Sequence, residues 1–194
     1  MKPLLVRAEL LKKRVGIFTL LDFKRIFQSS PQATKYFLEK EVKNGLLLRL
    51  KKGLYALKTD SPGEEVVANA LYRPSYISFA YALVFYGILP EMPYSITSAT
   101  TKPTRMFTIN NQAFAYFTIK TEAYTGYILE KREGRTFLIA EPEKALIDYL
   151  YFISLGRKFP YDRLDVSRLN KSKLLRYAGL YNRTGLYNLV EKIL

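Results

Sequence analysis

Hydrophobic positions recur at helical spacing through the first 45 residues and at strand spacing just beyond them. Leu4, Leu5, Ala8, Leu10 and Leu11, with charged residues between, predict a helix over residues 4–14 that ends before Gly16. Thr19 is placed to cap a second helix, Leu20 to Phe27, whose Leu20, Leu21, Phe23, Ile26 and Phe27 form the packing face. Gln28-Ser29-Ser30 is a turn into a third helix. There Ser30 caps, Pro31 occupies the first turn where its missing N–H costs nothing, and Gly45 stops the helix after about four turns. Helical spacing gathers Thr34, Phe37, Leu38, Glu41 and Val42 on one face and Gln32, Tyr36, Glu39 and Lys43 on the other. Beyond Gly45, Leu46, Leu48 and Leu50 alternate with Leu47, Arg49 and Lys51; Lys52-Gly53 is a tight turn, and Leu54 to Leu57 returns as a second strand.

Thr59-Asp60-Ser61-Pro62-Gly63 is a polar breaker, so the chain divides into residues 1–58 and 62–194. The order helix, helix, turn, helix, hairpin in the first part is that of a winged helix-turn-helix DNA-binding domain. The second part opens with helices over Glu64–Leu71 and, capped by Ser78, over Phe79–Tyr86, the latter strongly apolar and closed by Gly87. Strand signals follow: Tyr94–Thr100, then Arg105–Asn110 turning at Asn110-Asn111 into Phe114–Lys120, then Tyr127–Lys131 turning at Glu133-Gly134 into Thr136–Ala140. A helix from Pro142 through Ile153 and a helical stretch over residues 165–194, broken at Gly179 and Gly185, complete an α+β domain with an antiparallel sheet and a helical C-terminus.

Charge sharpens this picture. The chain of 194 residues carries a net +14, but residues 1–58 hold 14 Lys and Arg against 4 Asp and Glu, residues 59–155 hold 8 against 10, and residues 156–194 hold 9 against 3. Two basic ends flank a near-neutral middle, and excess positive charge on a small domain attracts polyanions, nucleic acid first among them. Cysteine and histidine are both absent, which excludes disulfides, thiolate or imidazole metal sites and His-based acid–base catalysis. No carboxylate pair, nucleophile–base set or phosphate-cradling glycine loop marks a catalytic site, so the expectation is a protein that is not an enzyme and has no cofactor. No apolar run of about 18 residues and no signal-peptide pattern is present, which makes a cytoplasmic protein without a membrane partner the expectation.

A resemblance adds to these readings. Tyr36-Phe37-Leu38 through Asn44-Gly45-Leu46-Leu47, the wing ending Lys52-Gly53-Leu54-Tyr55, and the later Glu141-Pro142-Glu143-Lys144-Ala145-Leu146-Ile147-Asp148 together resemble AbiEi-type antitoxins of type IV toxin–antitoxin (abortive infection) systems. The resemblance covers most of the chain to about residue 155, and the two motifs in this order are more specific than the wing alone. It implies a winged-helix N-terminus that binds double-stranded promoter repeats and represses its own operon. It also implies a C-terminal domain that counteracts a nucleotidyltransferase-like toxin without a stable complex. Glu41 departs from the pattern, since such recognition helices usually carry an aliphatic residue there. Arg49 or another basic side chain is the expected partner for it.

On this reading Gln32 and Tyr36 face base edges, while Ser30, Lys35 and Lys40 lie beside them toward phosphates. Arg49, Lys51 and Lys52 on the wing meet backbone or minor groove. The bland alternative is a solvated helix face and an edge strand kept soluble by charge. Lys171, Lys173 and Arg176, spaced for one helix face, are the candidate antitoxin surface, again against a merely solvated one. Glu141 is expected at a helix N-terminus, and Lys144 with Asp148 forms an i,i+4 pair worth a few tenths of a kcal/mol, a structural role. Tyr76, Phe79, Tyr81, Phe85 and Tyr86 read as core rather than as a platform for bases. The protein is expected to be a monomer or a DNA-dependent dimer. Two other functions stay open: a free-standing winged-helix regulator whose second domain senses a ligand or dimerises, and an RNA-binding protein using both basic ends.

Overall fold

The computed structural model describes residues 1–157 and 163–193 of an α+β protein. Leu194, the end of the expected C-terminal helical stretch, lies outside the described residues. The chain forms two compact units, Met1–Leu71 and Tyr72–Leu194.

The first unit runs α1 (Pro3–Lys12), β1 (Ile17–Thr19), α2 (Leu20–Phe27), α3 (Pro31–Lys43), β2 (Leu47–Lys51), β3 (Leu54–Leu57) and α4 (Glu64–Leu71). β1, a strand that sequence pattern did not reveal, pairs antiparallel with β3, whose other edge carries β2, giving the order β1-β3-β2. Thr19 caps α2 through a reciprocal box: its hydroxyl accepts the Asp22 N–H at 3.2 Å, and the Asp22 carboxylate accepts the Thr19 N–H at 2.9 Å. Val6 and Leu10 of α1, Phe18, Phe23, Phe37, Leu38, Leu47, Tyr55 and Leu57 form one core cluster, with Phe23 stacked on Phe37 at 5.5 Å.

The unit boundary falls after Leu71 and not within residues 59–63. Helix α4 lies against β2, and Lys51 Nζ donates to the Leu71 carbonyl at 2.6 Å, which ties the end of α4 to the hairpin.

The second unit holds β4 (Ser75–Ile77), α5 (Phe79–Phe85), β5 (Ser95–Thr100), β6 (Arg105–Ile109), β7 (Gln112–Thr118), a 3-10 turn over Thr121–Ala123, β8 (Tyr127–Arg132), β9 (Arg135–Ala140), α6 (Pro142–Ser154), α7 (Lys171–Gly179) and α8 (Thr184–Ile193). Both expected hairpins form, with left-handed residues Asn110-Asn111 and Glu133-Gly134 at their turns. The six strands run in the order β6-β7-β5-β4-β9-β8, and the sheet is mixed rather than antiparallel: β5 pairs parallel with β7, and β4 parallel with β9. Each hairpin turns its more polar strand outward. Arg105, Met106 and Thr108 of β6, and Lys131 and Arg132 of β8, are exposed, whereas Phe114 to Tyr116 of β7 and Ile139-Ala140 of β9 are buried. A charged edge protects a sheet, and a buried strand needs apolar side chains on both faces. Gly185 lies inside α8 and does not break it; the interruption is at residues 180–183. Ser78 precedes α5 without a side-chain cap, because its hydroxyl is used elsewhere.

Candidate nucleic-acid interface

Helix α3 has two clean faces. Thr34, Phe37, Leu38 and Glu41 are buried, whereas Gln32, Lys35, Tyr36, Glu39, Lys40 and Lys43 are all exposed and form one continuous stripe at i, i+3, i+4, i+7, i+8 and i+11. Tyr36 is 69% exposed, unusual for a large aromatic ring with no packing duty. Ser30 accepts the Ala33 N–H at 3.2 Å, so its hydroxyl is spent on the cap while the residue stays at the exposed start of the stripe. Buried Glu41 takes a hydrogen bond from the Asn44 amide at 3.2 Å; Asn44, not Arg49, is its partner.

The hairpin departs from simple alternation. A register shift between Arg49 and Lys51 lets Leu47 and Leu50 both enter the core while Arg49 stays exposed. This bulge rotates Lys51 inward, where its ammonium holds the α4 carbonyl. Lys51 therefore leaves the presented set, while Arg49 and Lys52 remain exposed in it.

The acids around this surface are largely consumed within the unit. Glu9 pairs with Lys13 at 3.3 Å, Asp22 closes the α2 cap, Glu41 is buried, and Asp60 accepts from Arg7 Nη2 and Nε at 2.8 and 2.9 Å. The Thr19 hydroxyl and N–H hold the Asp22 carboxyl below the usual range, and the Thr59 hydroxyl and Arg7 do the same for Asp60. Of the four acidic residues in 1–58, Glu39 alone sits on the α3 stripe. Lys24, Arg25, Lys43 and Lys58 are exposed basic residues that the motif reading did not assign. Lys43 was legible as the next step of the α3 stripe. Lys58 was not, since its ammonium reaches the neighbourhood of Gly45 through strand pairing.

The second unit treats its predicted basic face differently. Lys171 and Arg176 are exposed, with the Arg176 guanidinium 5.1 Å from the Tyr177 ring, but Lys173 is half-exposed and its charge is paired. Its ammonium donates to Glu141 at 2.9 Å and lies 4.0 Å from Glu143, while the Tyr177 hydroxyl donates to the same Glu141 oxygen at 2.9 Å. These donors, Lys173 first, keep the Glu141 carboxyl below its ordinary range. Asn170 caps α7 by accepting the Lys173 N–H, and its own N–H goes to Glu143. The three basic residues thus do not form one free cationic face.

Lys144 and Asp148 form an i,i+4 pair, as their spacing predicted, but both are fully buried. Asp148 accepts from the Lys144 ammonium, from Tyr181 at 2.5 Å, from Ser78 at 2.7 Å and from Tyr76 at 3.1 Å. Lys144 also faces the rings of Tyr181 and Tyr76, at 5.1 and 5.7 Å. Burial draws its pKa down against the opposing pull of Asp148, and burial followed by the Asp148 charge raises the Tyr76 and Tyr181 hydroxyls well above their usual value. All five groups are closed off from solvent, so the cluster fastens α6 to β4, α5 and the α7–α8 connection and offers nothing to a substrate.

Among the described residues, no group of three or more carboxylates is placed to hold a metal ion, and no helix is long and apolar enough to cross a membrane. No protein-family model matches the chain, and no curated protein matches it.

Proposed function

We propose that residues 1–71 are a winged-helix DNA-binding unit, with α3 as the helix that enters the major groove and the β2–β3 hairpin as the wing. The observation that carries this is the exposed α3 stripe, a Gln and a Tyr flanked by three Lys, next to a basic hairpin in a unit whose acids are mostly internally paired. Gln can address adenine bidentately, Lys can hold phosphates, and Tyr36 adds an apolar face with a hydroxyl at its tip. Arg49 and Lys52 serve as wing contacts.

From the motif resemblance we further propose that the chain represses its own operon and acts as the antitoxin to a nucleotidyltransferase-like toxin, the second unit supplying the antagonism. The test uses one variant in two assays. Gln32→Ala combined with Arg49→Glu and Lys52→Glu alters exposed positions only. At about 1–3 kcal/mol per contact, it should weaken binding to the chain's own upstream DNA at least a hundredfold and release a promoter reporter. Survival under induction of the neighbouring gene should persist. Wild-type affinity should also fall log-linearly with salt. Unchanged binding by a folded variant, or a flat salt response, would remove the DNA reading. Failure to protect cells at all would leave a free-standing regulator.

A further inference from the structure

Glu39 is the one carboxylate on the exposed α3 stripe. Lys35 lies one turn before it, Lys43 one turn after it and Lys40 beside it, yet among the described residues no ion pair or hydrogen bond holds it. The other three acids of residues 1–58 are committed inside the unit: Glu9 to Lys13, Asp22 to the α2 cap, and Glu41 to Asn44. A surface that grips phosphates loses attraction through a free carboxylate at its middle, unless that carboxylate meets a hydrogen-bond donor. In the major groove such donors belong to bases. Helical spacing also aligns Glu39 with the residue that addresses adenine. Gln32 stands seven positions earlier, a rotation of about 700°, so the two side chains leave the helix within about 20° of each other. They are about 10.5 Å apart along its axis, close to three base-pair steps of ~3.4 Å.

We propose that Glu39 is a specificity residue: on duplex DNA it accepts a hydrogen bond from cytosine N4, so that α3 selects a C·G pair three steps from the pair addressed by Gln32. This rests on the DNA-binding reading of the stripe and adds to it the base that the stripe requires. Cytosine alone shows the major groove a donor and no acceptor. Guanine O6 and N7 and thymine O4 repel a carboxylate, and adenine sets its N7 acceptor beside the N6 amino group. The guanine paired with the selected cytosine offers O6 and N7 to an ammonium, and Lys35 and Lys43 stand one turn to either side of Glu39. Their charges offset the carboxylate's repulsion from the phosphates, so the acid costs little affinity on the right sequence and more on every other.

The experiment needs no known operator. The full chain as wild type, Glu39→Gln and Glu39→Ala each selects duplexes from a random-sequence library at one fixed salt concentration, and the affinities of the selected duplexes and their single-pair variants are then measured. Position 39 is exposed and Glu, Gln and Ala are all good helix formers, so the three proteins should share one urea midpoint. The wild-type selection should fix a C·G pair, and replacing that pair should weaken binding about tenfold or more. Glu39→Gln exchanges an acceptor oxygen for a donor, the arrangement that suits adenine N6 and N7, so its preference at that position should change to A·T. Glu39→Ala should lose the C·G preference while binding unrelated duplexes at least as tightly as wild type. The preference three steps away, opposite Gln32, should stay the same in all three. A wild-type selection without a fixed C·G pair overturns the proposal, as does a C·G preference that survives both substitutions. A uniform gain in affinity with unchanged preference overturns it too, leaving Glu39 as a charge that tempers non-specific binding. In each of those outcomes duplex binding itself stands; no duplex binding by the wild type overturns both readings together.

Discussion

Removing either member of the buried Lys144–Asp148 pair should destabilise the second unit, and by unequal amounts. Breaking a buried ion pair costs about 3–5 kcal/mol, because the remaining charge is stranded. Lys144→Met retains the apolar length of the side chain and leaves Asp148 with three hydroxyl donors, from Tyr181, Ser78 and Tyr76. Its cost should fall at the lower limit, about 3 kcal/mol. Asp148→Leu strands the ammonium with only the Tyr181 hydroxyl to accept from it at 3.3 Å and orphans the Tyr76 and Ser78 hydroxyls, each worth about 1–3 kcal/mol when left unsatisfied, so the total should exceed roughly 5 kcal/mol. A domain with about 5–15 kcal/mol of total stability is then marginal or unfolded. Urea unfolding followed by circular dichroism measures the difference. With a slope of about 2 kcal/mol per molar, Lys144→Met should lower the midpoint by about 1.5 M, and Asp148→Leu should lack a native baseline. Two variants equal in cost, or both within about 1 kcal/mol of wild type, would show that the carboxylate is not the hub of the cluster.

Gly126 has φ +74°, and a Cβ there would stand 2.6 Å from the Tyr177 ring, so Gly126→Ala should cost about 1–3 kcal/mol by thermal unfolding; an unchanged melting temperature would mean that the ring moves freely. Tyr86 and Tyr124 are pushed up to about 12, chiefly by burial. Their contribution is intact below about pH 10, where an unfolded tyrosine titrates, and is lost as pH rises through 12. With 16 tyrosines and no tryptophan, tyrosinate absorbance should show a buried class released only on unfolding. A single reversible step with native circular dichroism would contradict this. In acid the sign reverses. The depressed Glu141 carboxyl stabilises above its unfolded value and is lost as pH falls through its folded one, so Glu141→Gln should lose less stability below about pH 4.5 than wild type; parallel acid curves would refute it.

Much of the first unit was legible because its signals are local. Thr19, Ser30, Pro31 and Gly45 each act within one turn of chain, and the α3 faces follow from helical spacing alone. Lys51 was misplaced because alternation assumes an unbroken ladder, and one extra residue at Leu50 reverses the direction of the next side chain. β4 escaped notice because three residues between Pro74 and Ser78 carry no periodicity. The Lys144–Asp148 spacing predicted contact but not depth, since i,i+4 pairing is the same on a surface and in a core. A signal for depth was present in α6 itself, where Ala145, Leu146, Ile147, Tyr149, Leu150 and Phe152 surround the helix with apolar residues, as only a helix enclosed on all sides requires. The partners Tyr76 and Tyr181, 72 and 33 residues from Asp148, had no local trace.

The sheet of the second unit has a thin seam. β4 meets β9 at a single register pair, Ile77 with Ile139, whereas β5–β7 and β8–β9 each align six. The β6–β7 and β8–β9 hairpins close short loops and can form within microseconds, but joining β4 to β9 must close a loop of about sixty residues for little backbone reward. Asp148 bonds to Tyr76 and Ser78 across this same junction. This arrangement predicts that the seam closes last and that the carboxylate acts after the barrier as its latch. Tyr76→Phe and Ser78→Ala, which each remove one bond to Asp148, should speed unfolding while leaving the refolding rate nearly untouched, whereas substitutions at the Asn110-Asn111 turn should slow refolding.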